Sequence, residues 1–160
     1  MEQVILDMDF GQGLSQMELF QVTIAETGHL VLGTLHTNNA SGTINRLVNA
    51  FSPDKQNIIR TTLSLNLLGI ISQQLIPNEN KGRSLALEVL INTPSIKSLI
   101  RENNIHQIDS YILSGIKDGI IRMDDSILKL YNNRLISKEE ALNYAINISE
   151  LSKKLNSLNI

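Results

Sequence analysis

Two polar residues, His36 and Thr37, close an apolar run made of Leu30, Val31, Leu32, Gly33, Thr34 and Leu35. A run of that kind between turn residues suits a strand buried on both faces of a parallel sheet. The carboxyl ends of such strands are where open α/β sheets hold their ligands. An imidazole there can donate to a terminal phosphate oxygen and so report whether that phosphate is present, and the Thr37 hydroxyl can do the same. The competing reading is a histidine that ends a strand with its ring nitrogens satisfied locally. His29, at the other end of the run, reads as setting a turn or an interface contact, and His106, at a helix start, as structural or solvent-facing. His29 and His36 lie seven residues apart, an odd spacing that puts them on opposite strand faces and about 23 Å from one another. They cannot share a metal ion, and with no cysteine in the chain no zinc site is expected. Asp7 and Asp9, just after Val4, Ile5 and Leu6, are candidates for an acid that coordinates a metal or orients water, although any apolar run beside an aspartate has this form.

Periodicity and caps show which elements would position these residues. Val4 to Leu6 is a short strand. Ser15 and Glu18 have capping-box spacing and open a helix to Glu26, stopped at Gly28. Asn38 or Asn39 caps a helix through Ile44, Leu47 and Val48 to Phe51. Ser52 and Pro53 read as a cap and first-turn proline for a long helix to about Leu75, with Ile58, Ile59, Leu63, Leu67, Ile70 and Ile71 on its apolar stripe. A polar turn follows, then a strand over 83–91. Arg83 and Glu88 read as a surface pair on that hairpin, worth under about 1 kcal/mol. Thr93 and Pro94 open a short helix to Glu102. The remainder reads as helices at 105–115, 123–134 and 138–146, the last with a second capping-box pair at Ser137 and Glu140, then a fraying tail. Near residue 92 a mixed α/β part gives way to helices alone.

Composition narrows the partners. The 160 residues are 42% hydrophobic and only 4% aromatic, so the core is mostly Ile and Leu, enough for one domain or a piece of a larger one. A net charge of −2 gives no electrostatic push toward nucleic acid or anionic lipid. Absence of cysteine fits the cytoplasm. The acidic start, with no basic n-region, predicts no signal peptide, and no apolar run approaches the roughly 20 residues of a membrane span.

One motif is missing from these residues. A phosphate cradle needs a glycine-flanked loop of free N–H groups, then Lys and Ser or Thr. No G-x-x-x-x-G-K-[ST] occurs; Gly28 and Gly33 have the glycine spacing, but Thr34 stands where Lys must be.

The run Glu26-Thr27-Gly28-His29-Leu30-Val31-Leu32-Gly33-Thr34-Leu35-His36-Thr37 resembles the histidine box of the secretion-type motor ATPases, closest the type IV pilus retraction (twitching motility, PilT-family) ATPases. The likeness extends from about Glu18 to Leu151. Residues 44–53 resemble the family's helix end and Phe-Pro turn, 71–77 its long-helix exit, and 82–90 the following hairpin. Ser95-Ile96-Lys97-Ser98-Leu99-Ile100-Arg101-Glu102 resembles the family's Ala-Ile-Arg-Asn-Leu-Ile-Arg-Glu run, and 136–145 its C-terminal helix. The front departs: the acid of the family's catalytic strand would fall on Gly13, and the Arg and Asp after it on Ser15 and Gln16.

The resemblance implies an α/β fold: an incomplete RecA-like (P-loop NTPase-type) sheet half followed by a helical C-terminal domain. The division it implies is a diverged segment at 1–17, the C-terminal half of the ATPase core at 18–92, and the helical domain at 93–160. It assigns nucleotide sensing to Glu26, His29, His36 and Thr37. It assigns coupling to the helix carrying Ile96, Lys97, Leu99, Ile100, Arg101 and Glu102, of which Ile96, Leu99 and Ile100 pack and the charged three point outward. In the full-length family ATP and Mg bind, a hexamer forms, and the work is pilus disassembly at the inner-membrane platform. That implies a cytoplasmic protein at the membrane periphery, with no nucleic acid and no membrane insertion. These residues alone are expected to bind no nucleotide tightly and to be inactive. The alternatives are a non-catalytic interaction or regulatory subunit of such a hexamer, or a gene remnant.

Overall fold

A computed structural model describes residues 3–6, for the backbone only, and residues 29–37, 39–114 and 119–157. Asp7, Asp9, Glu26 and the helix expected between Ser15 and Glu26 lie outside the described residues.

Four strands form one sheet: β1 (Gln3–Leu6), β2 (Leu32–Gly33), β3 (Leu67–Pro77) and β4 (Arg83–Ile91), in the order β2-β1-β3-β4. β1 runs parallel to both neighbours, with Ile5 opposite Gly33 on one side and Ile70 on the other. β3 and β4 form a long antiparallel hairpin, with Gly69 opposite Ile91 and Pro77 opposite Arg83. Its turn uses Lys81 at φ 62°.

The chain crosses from β2 to β3 through α1 (Ala40–Asn49) and α2 (Gln56–Asn66). After the hairpin come α3 (Pro94–Arg101), a 3-10 turn (Ile105–Gln107), α4 (Ile108–Ser114), α5 (Met123–Asn132), α6 (Lys138–Asn143) and α7 (Ile148–Ser157). Three helix starts sit where sequence placed them. The Asn39 side chain accepts the Gly42 N–H at 2.9 Å. Thr93 accepts that of Ile96 at 3.4 Å, with Pro94 in the first turn. Ser137 accepts that of Glu140 at 3.1 Å.

Four expectations need correction. The helix expected to run from Pro53 to Leu75 is two elements: α2 ends at Asn66, and Leu67 turns extended at φ −63° and ψ 132° to begin β3. A run as apolar as residues 67–71 satisfies both periods, and pairing with β1 and β4 decides it. Buried Asn92 pins the joint, its amide donating to the carbonyl oxygens of Ser64 and Leu67 at 3.2 and 2.5 Å. Ser52 is not the cap of α2; residues 53–55 form a turn and Lys55 precedes the helix without a side-chain cap. The strand into His36 is not buried on both faces: Leu30 and Leu32 are 56% and 58% exposed while Gly33 and Leu35 are buried, as suits the edge strand of this sheet. The tail does not fray: α7 buries Leu151 and Leu155, one helical turn apart.

Two apolar interiors result. The first joins Leu35, α1, α2 and the near half of the hairpin (Ile70, Leu90) to Ile96, Ile100, Ile105, Ile108 and Ile112. The second joins the far half (Ile76, Ala86) to Met123, Ile127, Ile136, Ala141, Leu151 and Leu155.

Candidate functional site

The strand exit leaves β2 through buried Leu35 and delivers His36 and Thr37, both half-buried, to the start of α1. Two bonds hold it there. Arg46, one face along α1, donates from Nη1 to the His36 carbonyl oxygen at 2.8 Å. The Thr37 and Thr43 hydroxyl oxygens are 2.5 Å apart. The Thr43 hydroxyl also lies 3.1 Å from the Asn39 carbonyl oxygen, so its one proton serves either Asn39 or Thr37.

The first amide of α1 goes elsewhere. Ala40 N–H donates to Oε1 of Glu88, on β4, at 3.1 Å. Glu88 is only 7% exposed and stands directly opposite Ser72, whose buried hydroxyl has no hydrogen-bond partner among the described residues. Burial pushes the Glu88 carboxyl above the usual carboxylate range, the Ala40 N–H pulls the other way, and nearby Asp109 and Asp124 add to the rise. Glu88 also borders a cavity of about 400 Å³ between α1, β4, α4 and α5, together with Asn39, Asp109, Arg122 and Asp124.

On the far wall the charges are paired. Asp124 accepts the Ile146 and Asn147 N–H groups at 2.7 and 2.8 Å. Arg122 donates to both oxygens of Glu150 at 3.0 Å, and Lys154 bridges Asp125 and Glu150, each at 3.0 Å. Lys154 and then Arg122 hold the Glu150 carboxyl below the usual range. A depressed folded-state value contributes stability that is present above about pH 4.3 and lost as pH falls through the folded value. The melting temperature is therefore expected to drop between about pH 5 and pH 3, and to drop less in Glu150→Gln. Glu88 has the opposite sign, its contribution being lost as pH rises. A pH series of thermal melts on both chains measures this, and identical profiles would refute it.

Of the residues singled out from sequence, His36 and Thr37 come together at the α1 terminus, while His29 is exposed three residues before β2, which is only two residues long. On α3, Ile96 and Ile100 are fully buried, Leu99 and Lys97 half-buried, and Arg101 and Glu102 exposed. The side of that helix open to a partner carries Ser95 and Arg101, with Lys97, Ser98 and Leu99 at its margins. Arg83 and Glu88 are not a surface pair: Arg83 is exposed and donates to the Leu75 carbonyl oxygen at 3.3 Å, and Glu88 points inward. Their odd spacing put them on opposite faces from the start. Glu88 and Arg46 were missed as site residues. For Glu88 the signal was present, since it shares the inward phase of Ala86 and Leu90. Among the described residues no group of three His, Asp or Glu side chains is placed to hold a metal ion, and no helix is long and apolar enough to cross a membrane.

A mixed sheet whose strand exit feeds a capped helix, closed by an antiparallel hairpin and followed by a helical tail, is the fold shared with the secretion-type ATPases. Residues 16–131 match the family model of the type II/IV secretion system proteins, and the chain belongs to that family. Within it, the chain is 41% identical over 132 residues to a twitching motility protein of Neisseria gonorrhoeae, covering 82% of this chain and 35% of the relative. It is 43% identical over 120 residues to the type IV pilus retractation ATPase PilT of Pseudomonas aeruginosa, covering 75% and 35%. The fold matches the crystal structure of the pilus retraction motor PilT with bound ADP at a TM-score of 0.76 and 39% identity, covering 93% of this chain and 41% of that one. The Legionella pneumophila ATPase DotB shares the fold at a TM-score of 0.68 and 20% identity, covering 86% and 37%. The expected α/β fold is thus the one found, and the chain spans about a third of the length of these relatives.

Proposed function

We propose that these residues are the part of a pilus retraction ATPase that senses the nucleotide and passes its state to the helical tail. The observation that carries this is the pairing of close identity to a retraction motor with a half-exposed His36–Thr37 exit held at a helix terminus. The described residues fit one end of a nucleotide: the His36 ring and the Thr37 hydroxyl suit a terminal phosphate, while the sequence has no glycine-flanked loop ending in Lys and Ser or Thr to cradle the rest. ATP with Mg, when bound, supplies the phosphoryl chemistry. The chain's own residues position the exit and bind at the phosphate. The division at 18–92 and 93–160 then separates sensing from response, with α3 at the seam and its Lys97, Arg101 and Glu102 facing a neighbouring subunit or the pilus platform. Assembly as a hexamer in the cytoplasm, at the membrane periphery, follows from the same reading.

A graft tests it: residues 18–157 replace the segment they match in the Pseudomonas retraction ATPase. The expected result is saturable Mg·ATP hydrolysis by the graft, and no saturable phosphate release from the 160-residue chain alone. A folded, assembled graft without turnover, or robust turnover by the chain alone, would overturn the proposal.

A further inference from the structure

We propose that Glu88 is the positioning residue of the strand exit, acting through the first amide of α1. A buried carboxylate is costly unless it is well hydrogen-bonded, and Glu88 is the one buried glutamate among the described residues. Its partner is one of the four N–H groups that a helix start leaves unpaired, at the positive end of the helix dipole. The Asn39 side chain takes the Gly42 amide and Glu88 takes the Ala40 amide, so the first turn of α1 is gripped from its own cap and from the sheet. α1 in turn grips the exit at the Thr37–Thr43 and Arg46–His36 contacts. One bond therefore ties β4 to α1, and two more tie α1 to the exit, one of them at the His36 carbonyl oxygen. β4 itself leads within a few residues to Thr93 and α3, so Glu88 sets exit and α3 on one strand. No other described side chain takes that first amide.

The role needs an oxygen acceptor at this position rather than a charge. A protonated carboxyl keeps a carbonyl oxygen for Ala40, and so does glutamine. The inference rests on the reading of His36 as the phosphate sensor for its catalytic consequence, and its structural half stands apart from that reading.

Both halves are measurable. In the 160-residue chain, amide hydrogen exchange at Ala40 is expected to stay slow in Glu88→Gln and to speed up about tenfold in Glu88→Met, which matches glutamate in shape and lacks the acceptor. In the graft, Glu88→Gln is expected to keep kcat within about twofold, while Glu88→Met lowers kcat about tenfold with KM for ATP little changed. The double variant Glu88→Met with His36→Ala is expected to be no slower than His36→Ala alone, because a positioning residue has nothing left to position. Glu88→Leu replaces the methionine variant if that chain does not fold. Unchanged Ala40 exchange in a folded apolar variant overturns the inference. So does an additive double variant, or a glutamine variant as slow as the methionine one. If His36→Ala leaves turnover intact while Ala40 exchange responds as expected, the sensor reading fails and the positioning contact survives it.

Discussion

His36→Ala in the graft is expected to lower kcat for ATP about a hundredfold, with KM changed much less. A donor aimed at charge that grows on a terminal phosphate during transfer acts mainly in the transition state, and losing one such donor costs about 10²–10³ in rate. The structure makes this a local test. The His36 backbone is held by Arg46 through its carbonyl oxygen, a contact that truncating the ring does not touch. The Thr37 hydroxyl already shares a hydrogen bond with Thr43. Steady-state hydrolysis by the wild-type and variant grafts, with hexamer mass and melting temperature held equal, decides it. A kcat within a factor of about two of wild type would remove His36 from the chemistry.

The second large effect is on stability. Ile100→Ala is expected to destabilise the chain by about 2–5 kcal/mol, a large share of the roughly 5–15 kcal/mol typical of a domain. Ile100 is fully buried in the first interior alongside Ile96 and Ile108, so truncating it opens a cavity there. Arg101→Ala, on the same helix and exposed, gives up only surface contacts to Ser98 and Glu102 and is expected to change stability by about 1 kcal/mol or less. Urea unfolding of both variants separates them. Equal losses would mean that the outward side of α3 bears on the fold and not on a partner. In the graft, the arginine variant then reads out coupling free of folding.

What could be read from sequence was local. Asn39, Thr93 and Ser137 announce helix starts because a cap is settled by a few neighbouring residues. The strand over 83–91 was legible too, although reading Arg83 and Glu88 as a surface pair passed over the inward phase that Glu88 shares with Ser84, Ala86 and Leu90. What failed was decided at a distance. Residues 67–71 carry enough apolar positions for either period, and only β1 and β4 alongside them make the segment a strand. The value of Glu88 was hidden because its partner, the Ala40 amide, lies 48 residues away. Leu30 and Leu32 look like core in the sequence and lie exposed on the edge strand, since hydrophobicity does not say which neighbours a strand will have.

The hairpin has a consequence for how this polypeptide can be cut. Ile70 and Leu90 close one interior, Ile76 and Ala86 the other, so a single ribbon is a wall of both. A protease nick or a gene split inside it would open two interiors at once. The connection from Ser52 to Lys55 is exposed and belongs to neither, which makes it a place where an inserted tag or a new pair of termini costs the fold little.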